Sequence, residues 1–211
     1  MTTTLYTYTR AIRVLIMLMA ISGVSEMAMA QPAPRFEAGG QIAVAASSEF
    51  DETDAGIGGR LAWFPLGLVG VEGEINVFPR DVPADFGSTA FSRTRIEGLF
   101  GATVGPVIGR VRPFAKVRPG FLRFNDAGPI ACIRIFPPPL ACTLAEGRTV
   151  MALDLGGGLE FFPSPETFLR IDAGDRILRY PTPAFDADRN ARMDSFVSHD
   201  FRVAIGGGLR F

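Results

Sequence analysis

Residues 69–78 read Val69-Gly70-Val71-Glu72-Gly73-Glu74-Ile75-Asn76-Val77-Phe78. Val69, Val71, Ile75 and Val77 alternate with Glu72, Glu74 and Asn76. A strict period of two predicts a β-strand with one apolar and one polar face. The fold then turns on two questions: how often the pattern recurs, and which face meets water.

The pattern recurs in seven other stretches. Near 35–46, Phe36, Ala38, Gly40, Ile42 and Val44 oppose Glu37 and Gln41. Near 55–64, Ile57, Leu61 and Trp63 oppose Arg60. Near 93–104, Ile96, Phe100, Ala102 and Val104 oppose Arg95, Glu97 and Thr103. Near 109–123, Val111, Ala115, Val117 and Phe121 oppose Arg110, Arg112, Lys116 and Arg118. Near 149–162, Leu153, Leu155, Leu159 and Phe161 oppose Asp154 and Glu160. Near 168–179, Ile171, Ala173 and Ile177 oppose Arg170, Asp172 and Arg176. The last stretch runs to the end of the sequence, where Phe201, Val203, Ile205, Leu209 and Phe211 oppose Asp200, Arg202 and Arg210.

Two features break the scheme. Asp175 falls on an apolar face, which predicts a nearby interface or a bulge. Pro113 and Pro119 each remove a ladder donor, so local irregularity is expected in that strand.

Connections alternate in length. Those near 65–67, 105–108 and 163–166 are short, and the other four are longer. Eight strands of about ten residues, with short turns opposite long loops, predict an all-β, up-and-down antiparallel transmembrane barrel. Such a barrel turns its apolar face to lipid and its charged face inward, the reverse of a soluble sheet. Aromatic residues at strand ends agree with two interfacial girdles: Phe36, Trp63, Phe161 and Phe211 at one end, and Phe78, Phe121, Tyr180 and Phe201 at the other.

Composition is consistent with this. The chain has 211 residues, 47% hydrophobic and 20% charged, which suits one folded domain. Glycine is abundant at 24 and phenylalanine at 18, while Lys116 is the sole lysine. The formal charge of -1 argues against nucleic acid as a partner. Beyond residue 30 no apolar run approaches the 18 residues of a spanning helix.

The first 30 residues carry a targeting signal: basic Arg10 and Arg13, an apolar run over 14–24, and the small-x-small site Ala28-Met29-Ala30 before Gln31. Cleavage is expected after Ala30, leaving residues 31–211 as the barrel domain. No cysteine follows the site, so a lipid anchor is not expected. Cys132 and Cys142 then lie in an oxidising compartment, and a local disulfide is the plain reading.

A signal, eight amphipathic strands and the ending Val203-Ala204-Ile205-Gly206-Gly207-Gly208-Leu209-Arg210-Phe211 resemble the small outer-membrane β-barrel proteins of the OmpA-like and OmpX-like type. The resemblance covers about 31–211. It implies a cell outer membrane location in a Gram-negative envelope, contact with outer-membrane lipid and lipopolysaccharide, and a terminal Phe211, with Leu209, read by the outer-membrane assembly machinery. No peptidoglycan-binding domain is expected after the barrel.

Candidate chemistry is sparse. The only histidine lies in Ser198-His199-Asp200, where adjacent strand residues face opposite ways and no triad forms. Asp186, Asp188 and Asn190 match the start of a calcium loop, but Ala191 and Val197 stand where Gly and Glu belong. The stretch Asp51-Glu52-Thr53-Asp54 reads as a solvated loop tip. Gly156-Gly157-Gly158 and Gly206-Gly207-Gly208 lack the strand-to-helix setting of a phosphate loop. No catalytic residue, cofactor or metal ligand is assigned.

The sharpest candidate site is an interior charge network of Glu72, Glu74, Glu97, Arg95, Arg110, Arg112, Lys116 and Arg118. Eight strands leave an interior just filled by side chains, so a salt-bridged plug is expected. The function expected is structural or surface-interactive and non-enzymatic, carried by a monomer whose long loops meet any extracellular partner. Two alternatives stand beside it: a narrow gated, porin-like channel for small solutes, and a soluble secreted barrel binding a small apolar ligand.

Overall fold

The computed structural model describes residues 36–48, 52–79, 94–126, 132, 136–181 and 195–211. The expected signal segment, Asp51 and the calcium-loop-like stretch 186–191 lie outside the described residues. Eight strands form: β1 (Phe36–Ser47), β2 (Glu52–Trp63), β3 (Val69–Phe78), β4 (Arg95–Val104), β5 (Val111–Phe124), β6 (Thr149–Ser164), β7 (Thr167–Tyr180) and β8 (Phe196–Arg210). One short helix, α1 (Leu140–Ala145), lies between β5 and β6. Each strand pairs antiparallel with the next, and β8 pairs with β1, so the sheet closes.

The register fixes the barrel's geometry. From Phe36, successive cross-strand partners are Trp63, Val71, Ala102, Val117, Leu155, Asp175 and Phe201, and the circuit returns to β1 at Ala46. It closes ten residues above its start. A stagger of ten over eight strands tilts them by about 40° from the axis, given ordinary strand spacing and rise.

The two faces divide as the alternation predicts. Ile57, Ile42, Ile205, Ile171 and Leu159 are consecutive partners across five strands, and all are exposed on the outer wall. Below them Phe36 stacks between Trp63 and Phe211, at ring distances of 6.3 and 6.1 Å. Backbone bonds in both directions join Phe36 to Phe211, at 2.9 and 3.0 Å, so the last residue helps close the barrel's seam. Gly67 (φ 69°) and Gly109 (φ 62°) take the left-handed backbone that two of the short turns require.

Four expectations are corrected. Phe78 and Tyr180 are buried inside, not in an outer girdle, because they share parity with the inward Glu74 and Arg176. Arg110 is exposed in the turn before β5, since the strand begins one residue later. Asp54 is not at a loop tip: β2 starts at Glu52 and turns Asp54 inward. The irregularity at Pro119 is confined to one side. Pairing to β6 is unbroken, whereas Phe100 and Gly101 of β4 have no partner on β5 although the register is kept.

Candidate functional site

The interior is built in three layers, and inward parity alone decides which residues enter each. At the short-turn end, Phe64, Phe114, Phe162 and Phe168 form a buried aromatic floor. Guanidinium groups lie over these rings: Arg112 at 3.7 Å from Phe64, Arg210 at 3.8 Å from Phe162, and Arg170 at 4.1 Å from Phe114. The cation–π contact lets a charge sit on an apolar ring while its edge reaches a carboxylate. Space for the floor comes from glycine: a Cβ at Gly39 would lie 2.9 Å from the Phe168 ring.

Above the floor lies the charged layer. The buried charged residues are nine acidic and nine basic: Glu37, Asp54, Glu72, Glu74, Glu97, Asp154, Glu160, Asp172 and Asp200 against Arg60, Arg95, Arg112, Lys116, Arg118, Arg170, Arg176, Arg202 and Arg210. The interior described is therefore formally neutral. Removing Arg110 from the sequence-based set and adding Asp54 is what balances it.

These groups interlock across the lumen. Glu37 meets Arg60 at 3.2 Å, Arg112 at 2.7 Å and Arg210 at 3.3 Å. Glu72 receives Arg60 at 2.9 Å, Arg118 at 3.0 Å and Arg170 at 2.9 Å. Glu160 takes Arg60, Arg112 and Arg170. Arg118 and Arg202 both pair with Glu74, and Arg118 also pairs with Asp154. Lys116 bridges Asp154 and Asp172. Glu97 meets Arg176 at 2.9 Å and Arg202 at 3.2 Å, and Arg176 continues to Asp200 at 2.6 Å. Eight acids and eight bases thus join in one network drawn from all eight strands. Arg95 and Asp54 form a separate pair at 2.6 Å.

The pairing joins non-adjacent strands more often than adjacent ones. Arg170 on β7 reaches Glu72 on β3, and Arg176 on β7 reaches Glu97 on β4. Asn76 ties the network together: its amide donates to Glu74 at 2.6 Å and Glu97 at 2.9 Å, and its oxygen accepts from Gln41 at 2.9 Å. Buried charge is tolerated when each ion has several opposite partners, because Coulomb attraction is strong where water is excluded.

The third layer escaped the sequence reading. On the loop side, inward Leu99, Leu122, Phe124, Val150, Ala152, Leu178, Tyr180 and Phe196 make an apolar wall. The helix α1 packs against it with Leu140, Ala141, Leu144 and Ala145. Every residue of α1 is buried. Thr143 donates to the Pro139 carbonyl at 3.2 Å, and Gly147 (φ 80°) turns the chain out toward β6. The disulfide Cys132–Cys142 ties this helix to the preceding loop, with Cα atoms 6.2 Å apart. The long loops are expected to meet an extracellular partner, yet the helical part of the cysteine-bearing one folds back as a cap over the charged layer.

In the Ser198-His199-Asp200 stretch, Ser198 and Asp200 point inward, Asp200 into the charge network and Ser198 Oγ to within 3.2 Å of Ser48 Oγ. His199 points outward and its Nδ1 lies 2.7 Å from Asp175 Oδ2. The three neighbours therefore do not converge on one site. Asp175, the charged residue on an apolar face, is accounted for by this outward pair. Phe211 and Leu209 are exposed on the outer wall. Among the described residues no cluster of three or more metal-ligating side chains occurs.

No family model and no curated protein matches the chain. Among solved structures, the chain is similar to Neisserial surface protein A, at 12% identity over 83% of this chain and 97% of that one, with a TM-score of 0.50. It is also similar to the outer membrane protein OprG from Pseudomonas aeruginosa, at 12% identity over 85% and 96% of the two chains, TM-score 0.47. A third similar structure is Ail, the attachment invasion locus protein of Yersinia pestis, in complex with the heparin analogue sucrose octasulfate. The identity there is 16% over 84% and 97%, TM-score 0.46. The likeness to Neisserial surface protein A is one of fold.

Proposed function

We propose that the chain is an integral outer-membrane barrel with a structural or surface-interaction role, closed to solutes and without catalytic chemistry. One observation carries this reading: the partition is inverted. Charges fill the inside in a neutral network, and large apolar side chains cover the outside as a continuous band. A water-soluble barrel needs the opposite arrangement, because an apolar exterior of this extent drives association. The soluble, ligand-binding alternative is therefore disfavoured. The channel alternative is disfavoured by ion pairs that span the lumen from β7 to β3, between an aromatic floor and a helical cap.

In this reading residues 1–30 direct export and the mature chain starts at Gln31. Outer-membrane lipid and lipopolysaccharide cover the apolar band, and Phe211 and Leu209 are recognised by the assembly machinery. A partner outside the cell meets the loop end, and the barrel acts as a monomer. Fractionation tests the placement. The mature chain should separate with outer membranes and migrate faster on an SDS gel unboiled than boiled. Recovery in the soluble periplasmic fraction overturns it.

A further inference from the structure

Arg95 and Asp54 stand apart from the charge network. Arg95 is the first residue of β4 and Asp54 lies near the start of β2, so both sit at the loop end, in the mouth of the barrel. Their side chains are 5% exposed, and Arg95 Nη1 lies 2.6 Å from Asp54 Oδ2. That contact uses one corner of the guanidinium. The opposite edge, Nε and Nη2, is buried and donates to nothing among the described residues.

This edge is the one with which the interior holds carboxylates. Arg118 presents Nε and Nη2 to Asp154, and Arg112 presents Nε to Glu160 and Nη2 to Glu37. Seven of the nine buried bases meet two or more acidic residues. Of the other two, Arg210 meets Glu37 and lies over the Phe162 ring. Arg95 meets Asp54 alone. A buried donor without an acceptor bears its full cost of desolvation, so a ligand that brings two acceptor oxygens to this edge recovers that cost.

The neighbours of Arg95 set the rest of the ligand. Phe78 on β3 and Phe124 on β5 are its cross-strand partners, both rings point inward, and each is 1% exposed. Directly opposed side chains are in reach of one another, so the guanidinium is flanked by rings on both sides. Phe124 belongs to the apolar wall that α1 covers, in one cluster with Leu99 and Leu122.

We propose that the mouth of the barrel binds a small monocarboxylate with an apolar body at Arg95. The two carboxylate oxygens accept from Nε and Nη2, and the body lies along Phe78 and Phe124. A planar carboxylate matches the two parallel donors of an arginine edge. Asp54 already compensates the guanidinium, so a second negative charge on the ligand finds no partner, which favours a monocarboxylate over a phosphate dianion. The site opens no path through the network beneath it. It follows from the barrel's register and interior and goes beyond the membrane placement.

The test uses the purified, refolded barrel in detergent, isotopically labelled at arginine nitrogen, with its fast unboiled gel mobility established first. The probes are benzoate, its uncharged analogue benzamide, and inorganic phosphate. Benzoate should shift the Arg95 Nε–H resonance saturably, the signal being identified by its loss in Arg95→Lys, and benzamide and phosphate should not. Calorimetry on two variants should give opposite signs. Arg95→Lys keeps the charge and removes the paired donors, and should weaken benzoate binding about tenfold or more. Asp54→Asn removes the competing carboxylate and should tighten it, and this sign decides alone if Arg95→Lys does not refold. No saturable binding of benzoate, equal binding of benzamide or phosphate, unchanged affinity in Arg95→Lys, or unchanged or weaker binding in Asp54→Asn overturns the proposal.

Discussion

Arg110 and Arg112 are two residues apart and share sequence parity, yet they have unlike fates. Arg110 is exposed in a turn. Arg112 is buried against Glu37 and Glu160 and stacked on Phe64. Removing one partner of a buried ion pair costs about 3–5 kcal/mol, because the other charge stays behind uncompensated. A surface substitution away from such features stays within about 0.5 kcal/mol. Arg112→Gln should therefore lower the urea midpoint of the refolded barrel strongly, and Arg110→Gln should not. Unfolding in lipid vesicles, followed by gel mobility, separates them. The sequence placed both arginines inside because alternation has no marker for where a strand begins. The same limit hid Asp54: a run of polar residues reads as a loop, and only the pairing of Glu52 with Ser47 shows that β2 has already begun.

At the scale of elements, the strands were legible and α1 was not. Period two is legible in the strands because inward positions face a packed interior and most outward positions form the apolar wall. Six residues between three prolines and Glu146-Gly147 carry too few turns to show helical periodicity. What holds α1 is tertiary: the inward apolar wall of β4–β8 and the bond to Cys132. Closing a loop of ten residues contributes roughly 2–3 kcal/mol in the chain-entropy model. That is enough to seat a short helix and small beside the barrel's own pairing. The double variant Cys132→Ser, Cys142→Ser should keep its fast unboiled mobility, while amide exchange over Leu140–Ala145 accelerates and that of the strands does not. Exchange rising equally in β5 and β6 contradicts a merely local role.

For the whole molecule, the partners in the charge network depend on the stagger of ten, which no single strand reveals. The sequence tells which residues face inward, but Arg170 meets Glu72 only because the closed sheet brings β7 across from β3. Neutrality is likewise a property of the whole interior, and it stabilises a shut barrel: no ion gains by entering a lumen whose charges already satisfy one another. Wild-type protein in planar bilayers should show no stable conductance steps, and well-resolved steps contradict the closed network. The central claim is that the apolar face meets lipid, and Trp63 tests it directly, being the only tryptophan in the chain. It lies on the outer wall beside Phe36. In vesicles made with acyl-brominated phospholipid its fluorescence should be strongly quenched, and aqueous iodide should have little effect. Strong quenching by iodide with none by the brominated chains would contradict the account.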